Sequence, residues 1–335
     1  MRRPVTLFTG QWADLPFETL CQKASAWGYD GLEIACWGDH MDARQAATDP
    51  AYVQAKQDML SHYGLQCWAL SAHLAGQCVG DLYDERLDVF APEAVRGNPE
   101  KIRQWGTEEM QYAAKAAKNM GCYVVNCFMG SPIWKFWYSF PPTPEAMIEK
   151  GYAQMLERWT PILDEFDAQG IRLALEVHPT EIAFDFYTAQ RLLDIFDLRP
   201  TLGFNFDPSH LLWQGMEPHL FLREFAARIY HVHMKDVSVN SDGKAGILGS
   251  HLPFGDLRRG WNFRSLGHGD VNFEEIIREL NAMQYTGPLS VEWEDNGMDR
   301  EYGAQESAEY VKSIDFPPSA ILFDMDMKTE NPRST

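Results

Sequence analysis

The chain has 335 residues, 45% of them hydrophobic and 23% charged, and a formal net charge of −19. That length and usage suit one large α/β domain with its own core and exclude a disordered or fibrous chain. The acidic surplus argues against a nucleic-acid partner, which needs clustered Lys and Arg, and no apolar run reaches the roughly 18 residues that would span a membrane.

Met1-Arg2-Arg3-Pro4 leads into a strand pattern rather than a signal h-region, so the chain reads as cytoplasmic. From there, short apolar or β-branched runs alternate with longer amphipathic ones, the signature of βα units and a parallel sheet. Strands are predicted at 5–9, 31–36, 67–72, 123–128, 172–177, 201–206, 229–234 and 289–293. Helical stretches lie between them, among them 15–27, 100–120, 144–168 and 273–283. Gly28, Gly64, Gly121, Gly170 and Gly287 fall between a helical stretch and the next strand, where a left-handed cap is wanted. Asn272, with Glu275 three residues on, makes a capping-box-like helix start.

Eight such units close into a (β/α)8 TIM barrel spanning 1–316, with a tail or edge extension at 317–335. No Gly-x-Gly-x-x-Gly follows the first strand, which counts against a dinucleotide fold. Long segments follow the third, fourth and seventh strands (73–98, 129–143 and 235–270), at the face where barrels carry their sites. The six cysteines form no Cys-x-x-Cys pair and read as reduced, partly buried thiols.

Four strand ends carry the chemical signal: Glu176-Val-His178, Asp207-Pro-Ser-His210, His231-Val-His233-Met-Lys235-Asp236 and Glu292-Trp-Glu294. Side chains alternate across a strand, so Glu176 and His178 share a face, as do His231 and His233, and Glu292 and Glu294. Carboxylates aimed at one point repel unless a cation, a proton or hydrogen bonds neutralise them. A divalent metal is the simplest solution, and carboxylate plus imidazole ligands suit Mn2+ first, with Mg2+, Co2+ and Zn2+ as alternatives.

In this order and combination the motifs resemble the xylose-isomerase-like barrels of the sugar phosphate isomerase/epimerase type. The likeness runs from Thr9-Gly-Gln-Trp through Gly269-Asp-Val-Asn-Phe to Ser290-Val-Glu-Trp-Glu-Asp. It implies metal ligands Glu176, Asp207, His233 and Glu292, with His210 contacting substrate beside the metal and the two glutamates serving as acid and base. It also implies a small carbohydrate substrate and self-association into a homo-oligomer.

Proton abstraction next to a carbonyl independently needs a base and a group to hold the developing enediolate oxygen. Glu292 or Glu176 supplies the base, with His178 as the alternative. Glu33, His73, His268, Arg264 and Trp134 are further candidates for substrate contact. Against these stand a barrel-floor role for Glu33, loop hydrogen bonding for His73 and His40, and a turn-shaping role for His268. His231 orients a ligand, Lys235 and Asp236 pair with each other, and Glu294 is the rival ligand to Glu292.

Trp134, Trp137 and Tyr138, with the long segment containing Arg258, Arg259 and Arg264, suit a lid over a bulky substrate or a grip on an anion. The leading function is therefore a metal-dependent sugar isomerase or epimerase. The alternative is a lyase that cleaves 3-oxo-glycosides by β-elimination, with a small partner subunit. An apurinic-site endonuclease and a non-catalytic sugar-binding barrel complete the set.

Overall fold

A computed structural model describes residues 2–240 and 242–319, so most of the segment expected as a tail lies outside the described residues. Eight strands form the barrel: β1 (Val5–Phe8), β2 (Gly31–Ala35), β3 (Gln66–Ser71), β4 (Val124–Cys127), β5 (Arg172–Glu176), β6 (Leu202–Phe206), β7 (Ile229–Met234) and β10 (Leu289–Val291). The closed order is β1-β10-β7-β6-β5-β4-β3-β2, and every neighbouring pair is parallel. The eight predicted strands are these eight. Some end one or two residues earlier than expected, although Thr9, Cys36, Ala72 and Glu292 still donate a backbone N–H to the neighbouring strand.

Alternation divides the strand residues into two environments. Leu7, Leu32, Ile34, Leu70, Val125, Leu173, Leu175, Phe204, Val232 and Val291 join the apolar core shared with the helices. Glu33, Asn126, Glu176, Asn205, His231, His233 and Ser290 are equally buried but polar, and they line the barrel axis. Register shifts occur at Leu32/Glu33 and at Phe204/Asn205. Such irregularities re-aim side chains, and both fall on residues of the polar set.

Eleven helices surround or cap the described barrel: α1 (Phe17–Ala26), α2 (Ala43–Thr48), α3 (Pro50–His62), α4 (His73–Gly80), α5 (Pro99–Met120), α6 (Glu145–Gln169), α7 (Phe186–Ile195), α8 (Pro208–Leu212), α9 (Pro218–Glu224), α10 (Phe273–Ala282) and α11 (Arg300–Ile314). None is long and apolar enough to cross a membrane. Gly121 and Gly170 cap α5 and α6 in the left-handed region, with φ of 80° and 72°, and the Asn272 side chain accepts from the Glu275 N–H.

The cap expected at Gly287 lies elsewhere. Gln284 takes the positive φ of 57° after α10, because that helix turns back immediately at its end. The segment after β3 is partly helical rather than open. In α4, a Cβ on Gly76 or Gly80 would stand 2.0 Å from the carbonyl oxygen of Phe128 or Met129, so only glycine lets the helix lie on the β4 loop. All six cysteines are free.

Two further strands, β8 (Asp236–Val239) and β9 (Trp261–Arg264), pair antiparallel above the C-terminal ends of β7 and β10. This ribbon is the main feature that the strand count did not anticipate.

Candidate metal centre

Each polar strand end delivers a side chain to one point. Glu176 ends β5. Asp207 follows β6 and is locked as the cap of α8: its Oδ1 accepts from the Ser209 N–H and the Ser209 hydroxyl, both at 2.7 Å. His233 lies on β7 and Glu292 directly follows β10. One donor atom from each of Glu176, Asp207, His233 and Glu292 falls within 4.8 Å of all the others, and all four residues are buried.

The imidazole of His233 sits at the centre. Its Nε2 faces both oxygens of Glu33, at 3.0 and 2.9 Å, and a carboxylate there accepts a proton bond, so this nitrogen carries hydrogen. Its Nδ1 faces Glu292 Oε2 at 2.7 Å and Glu176 Oε2 at 3.1 Å. A bare lone pair there would meet two anionic oxygens, so the position demands a cation, whether a second proton or a metal. Asp207 Oδ2 and Glu292 Oε2 are buried and accept no hydrogen bond of good geometry, their nearest nitrogens being His210 Nε2 at 3.3 Å and His233 Nδ1 at 2.7 Å. The residues thus fit a divalent ion: oxygen and imidazole donors converge, and two of the oxygens lack a well-formed hydrogen bond.

The charges respond accordingly. Burial disfavours the imidazolium, yet Glu33, Glu292 and Glu176 outweigh it and raise His233 well above its usual range. Burial also opposes ionisation of Glu292, but Lys235 and His233 prevail and hold it at about 2. Asp207 moves the other way, raised by burial against the pull of His210 and Lys235.

Glu33 lies beneath this set. Fully buried, it receives the Ser71 hydroxyl, Asn126 Nδ2 at 2.8 Å, Ser290 Oγ at 2.6 Å and His231 Nε2 at 2.8 Å. Both Glu33 oxygens are thus occupied by these groups and by His233. His231 likewise contacts Glu33 rather than the ligand set.

His210, on α8, places Nε2 3.3 Å from both Glu176 Oε1 and Asp207 Oδ2. His73, at the start of α4, lies 3.3 Å from Glu176 Oε2. His178 packs edge-on to His210 at 4.1 Å, and burial with the charge of His210 holds it well below the usual imidazole range. Trp134 lines the same cavity of roughly 290 Å³ as His178, Thr180 and Lys135. Arg264, on β9, approaches Asp295 at 3.8 Å.

His268 is 46% exposed and bonds Glu306 on α11 at 2.9 Å, apart from the four converging residues. Lys235 and Asp236 do not pair. Successive residues point to opposite faces, and Asp236 accepts the backbone N–H groups of Gly267, Gly269 and Val271.

Two site residues, Asn205 and Gln11, were not singled out in the sequence, and Lys235 was expected only to pair with Asp236. Asn205 donates to Glu176 Oε2 at 3.0 Å, and Gln11 Nε2 donates to Glu292 Oε1 at 2.9 Å. Lys235 Nζ lies 3.0 Å from Glu292 Oε1. The period-2 face of β7 pointed to Lys235, and that of β6 to Asn205. Gln11, in a 3-10 turn over Gly10–Trp12, stood only within the Thr9-Gly-Gln-Trp motif, with no role assigned to it. Phe263 on β9 closes the top, 4.3 Å from Lys235 Nζ and 5.4 Å from the His210 ring. Beside it a cleft of roughly 270 Å³ is lined by Gln11, Phe254, Phe263 and Glu294.

The chain belongs to the xylose isomerase-like TIM barrel family, which it matches over residues 21–314. It is 31% identical over 188 residues to the protein YfiH of Bacillus subtilis (strain 168), spanning 54% of this chain and 59% of that one. It is 26% identical over 263 residues to the inosose dehydratase of Geobacillus kaustophilus (strain HTA426), spanning 75% and 74%. Among solved structures, the 3-keto-D-glucoside 4-epimerase YcjR of E. coli superposes with a TM-score of 0.65 at 13% identity, covering 93% of this chain and all of its own. The probable 3-DHS dehydratase AsbF of Bacillus anthracis gives 0.64 at 19%, covering 92% and 98%. At these identities the structural likeness establishes the fold alone.

Proposed function

We propose that this protein is a divalent-metal-dependent enzyme that removes a proton from the carbon next to a carbonyl of a keto-sugar or inositol-like ketone, and so isomerises or epimerises it. The observation that carries the reading is the convergence of Glu176, Asp207 and Glu292 with His233, all four buried and with one donor atom of each within 4.8 Å of the others. Held by these four residues, a divalent ion, Mn2+ first, supplies Lewis acidity to adjacent substrate oxygens.

The protein's own groups carry the proton. Glu176 and Glu292 are both held ionised, so either oxygen pair can accept it. Gln11 and Lys235 fix the Glu292 carboxylate, while Asn205 fixes that of Glu176. The second glutamate, ionised at rest, must first take up a proton from a substrate hydroxyl or from water, and passing that proton to the opposite face inverts the centre. His178, kept neutral, is the alternative base, and Phe263 with Phe254 excludes water from above. A small carbohydrate is the partner, and a homo-oligomer the expected assembly.

The inosose dehydratase relatives favour a second reading with the same first step. After proton removal, the electron pair expels a β-oxygen substituent as water or, from an oxidised glycoside, as the aglycone. One experiment addresses both readings. Mn2+-loaded protein is incubated with 3-oxo-sugars and inososes in D2O and followed by NMR. Deuterium at the α carbon with a new epimer supports the first reading, and deuterium with loss of the substituent supports the second. No exchange with any of these ketones sinks both.

A further inference from the structure

The geometry points to Lys235 as a further catalytic residue, one whose ammonium holds the substrate oxygen on which charge develops as the α-proton leaves. This rests on the proton-abstraction reading above. Lys235 shares the inward face of β7 with His231 and His233, and its side chain is 3% exposed. Nζ lies 3.0 Å from Glu292 Oε1, 3.3 Å from Glu294 Oε1 and 3.9 Å from Asp207 Oδ2. The last distance is beyond a hydrogen bond. Two N–H groups are thus taken by Glu292 and Glu294, and the third has no carboxylate partner, with Asp207 Oδ2 at 3.9 Å and the Phe263 ring at 4.3 Å around it. Glu294 is 35% exposed and lines the open cleft, so the ammonium stands between that cleft and the ligand set.

A strongly hydrated ammonium is costly to bury, and the role of its charge is visible in the reaction. When the α C–H bond breaks, its proton passes to a carboxylate. Its electron pair forms the new C=C bond, and the carbonyl π pair moves onto oxygen. Glu176, Asp207, Glu292 and Glu294 surround that point with four formal negative charges, against two from a divalent ion. Lys235 supplies the additional positive charge and an N–H that no carboxylate occupies, held in place before the reaction begins.

A structural role, in which Lys235 only neutralises the carboxylates, predicts different behaviour of Lys235→Met. Three readouts are compared with the wild type: Mn2+ affinity of the metal-free protein, affinity of the Mn2+-loaded protein for oxalate as an enediolate mimic, and α-hydrogen exchange. The proposal expects Mn2+ to bind about threefold or more tightly, because a repelling cation is gone. It expects oxalate to bind at least about tenfold more weakly and exchange to slow by about a hundredfold, as for loss of one oxyanion donor.

Weakened Mn2+ binding together with the other losses would make Lys235 structural and overturn the proposal. So would unchanged oxalate binding and exchange. If Lys235→Met does not fold, Lys235→Gln is measured in its place, with the same directions expected and the same results overturning it. Should the wild type exchange no ketone, the parent reading fails while oxalate binding still decides on Lys235.

Discussion

Glu181 gives a quantitative handle on the turn that positions His178. It follows Thr180, a β-branched residue at φ 103°, and is fully buried. Its Oε2 accepts the backbone N–H groups of Met129 and Gly130 at 2.7 and 2.6 Å, tying the β5 turn to the β4 loop. Burial and the charge of Asp81 outweigh those donors and push Glu181 up to about 8 from 4.5. The folded protein thus holds this carboxyl neutral, whereas the unfolded chain ionises it above pH 4.5.

Because the folded pKa is the higher one, the stability it contributes is complete below the unfolded value and is lost as pH rises toward about 8. At about 1.4 kcal/mol per pH unit, the loss between pH 5 and pH 8.5 comes to about 3–4 kcal/mol. Glu181→Gln keeps the acceptor for both N–H groups but cannot titrate. Urea unfolding of the metal-free wild type and variant at pH 5 and 8.5 should show the variant gaining about 3–4 kcal/mol relative to wild type at the higher pH. A difference that stays constant within about 0.5 kcal/mol across that range would refute the reasoning.

Other consequences are equally direct. Glu33→Gln breaks the buried contacts to His231 and His233, so thermal unfolding should show a loss of about 3–5 kcal/mol. Mn2+ titration of the same variant should show affinity weaker by about 10–100-fold, since an orienting partner of a ligand is lost. Gly76→Ala must displace the Phe128 carbonyl, 2.0 Å from the added Cβ. Denaturant melts should register about 1–3 kcal/mol or more, while Gly246→Ala, with nothing within 4 Å, stays near neutral. Because a metal must displace the proton that His233 holds in its raised range, Mn2+ affinity should rise by up to about tenfold per pH unit below that range. Calorimetry in buffers of different ionisation heat should register the released proton.

How much of this was legible follows from the range of the forces involved. The barrel strands were readable because a strand's period of two writes its environment into the sequence: Leu175 and Val177 outward, Glu176 inward. The polar strand ends were readable for the same reason, but the period did not separate Glu176, Asp207, His233 and Glu292 from His178, His210, His231 and Glu294; that choice came from the resemblance to the xylose-isomerase-like barrels. Non-local packing left no such mark. The β8–β9 ribbon joins segments separated by a long loop, with Val237 opposite Phe263. Helix α4 exists because Gly76 and Gly80 fit against the β4 loop, not because its residues favour a helix. Glu33 showed itself as a strand carboxylate, but the five side chains that fix it come from β3, β4, β7 and β10. Gln11 reaches Glu292 from the single 3-10 turn Gly10–Trp12, too short for period or propensity to say which way a side chain points.

The account depends on the four residues around His233 binding a divalent ion, and metal stoichiometry tests it most directly. Metal-free protein and its Glu292→Gln variant should be titrated with Mn2+ and measured by elemental analysis after desalting. The account predicts about one ion per chain in the wild type and sharply weaker retention in the variant. No uptake by the wild type, or equal uptake by both, would mean that the carboxylates are balanced by the His233 proton and Lys235 alone, and the proposed chemistry would fall with the metal.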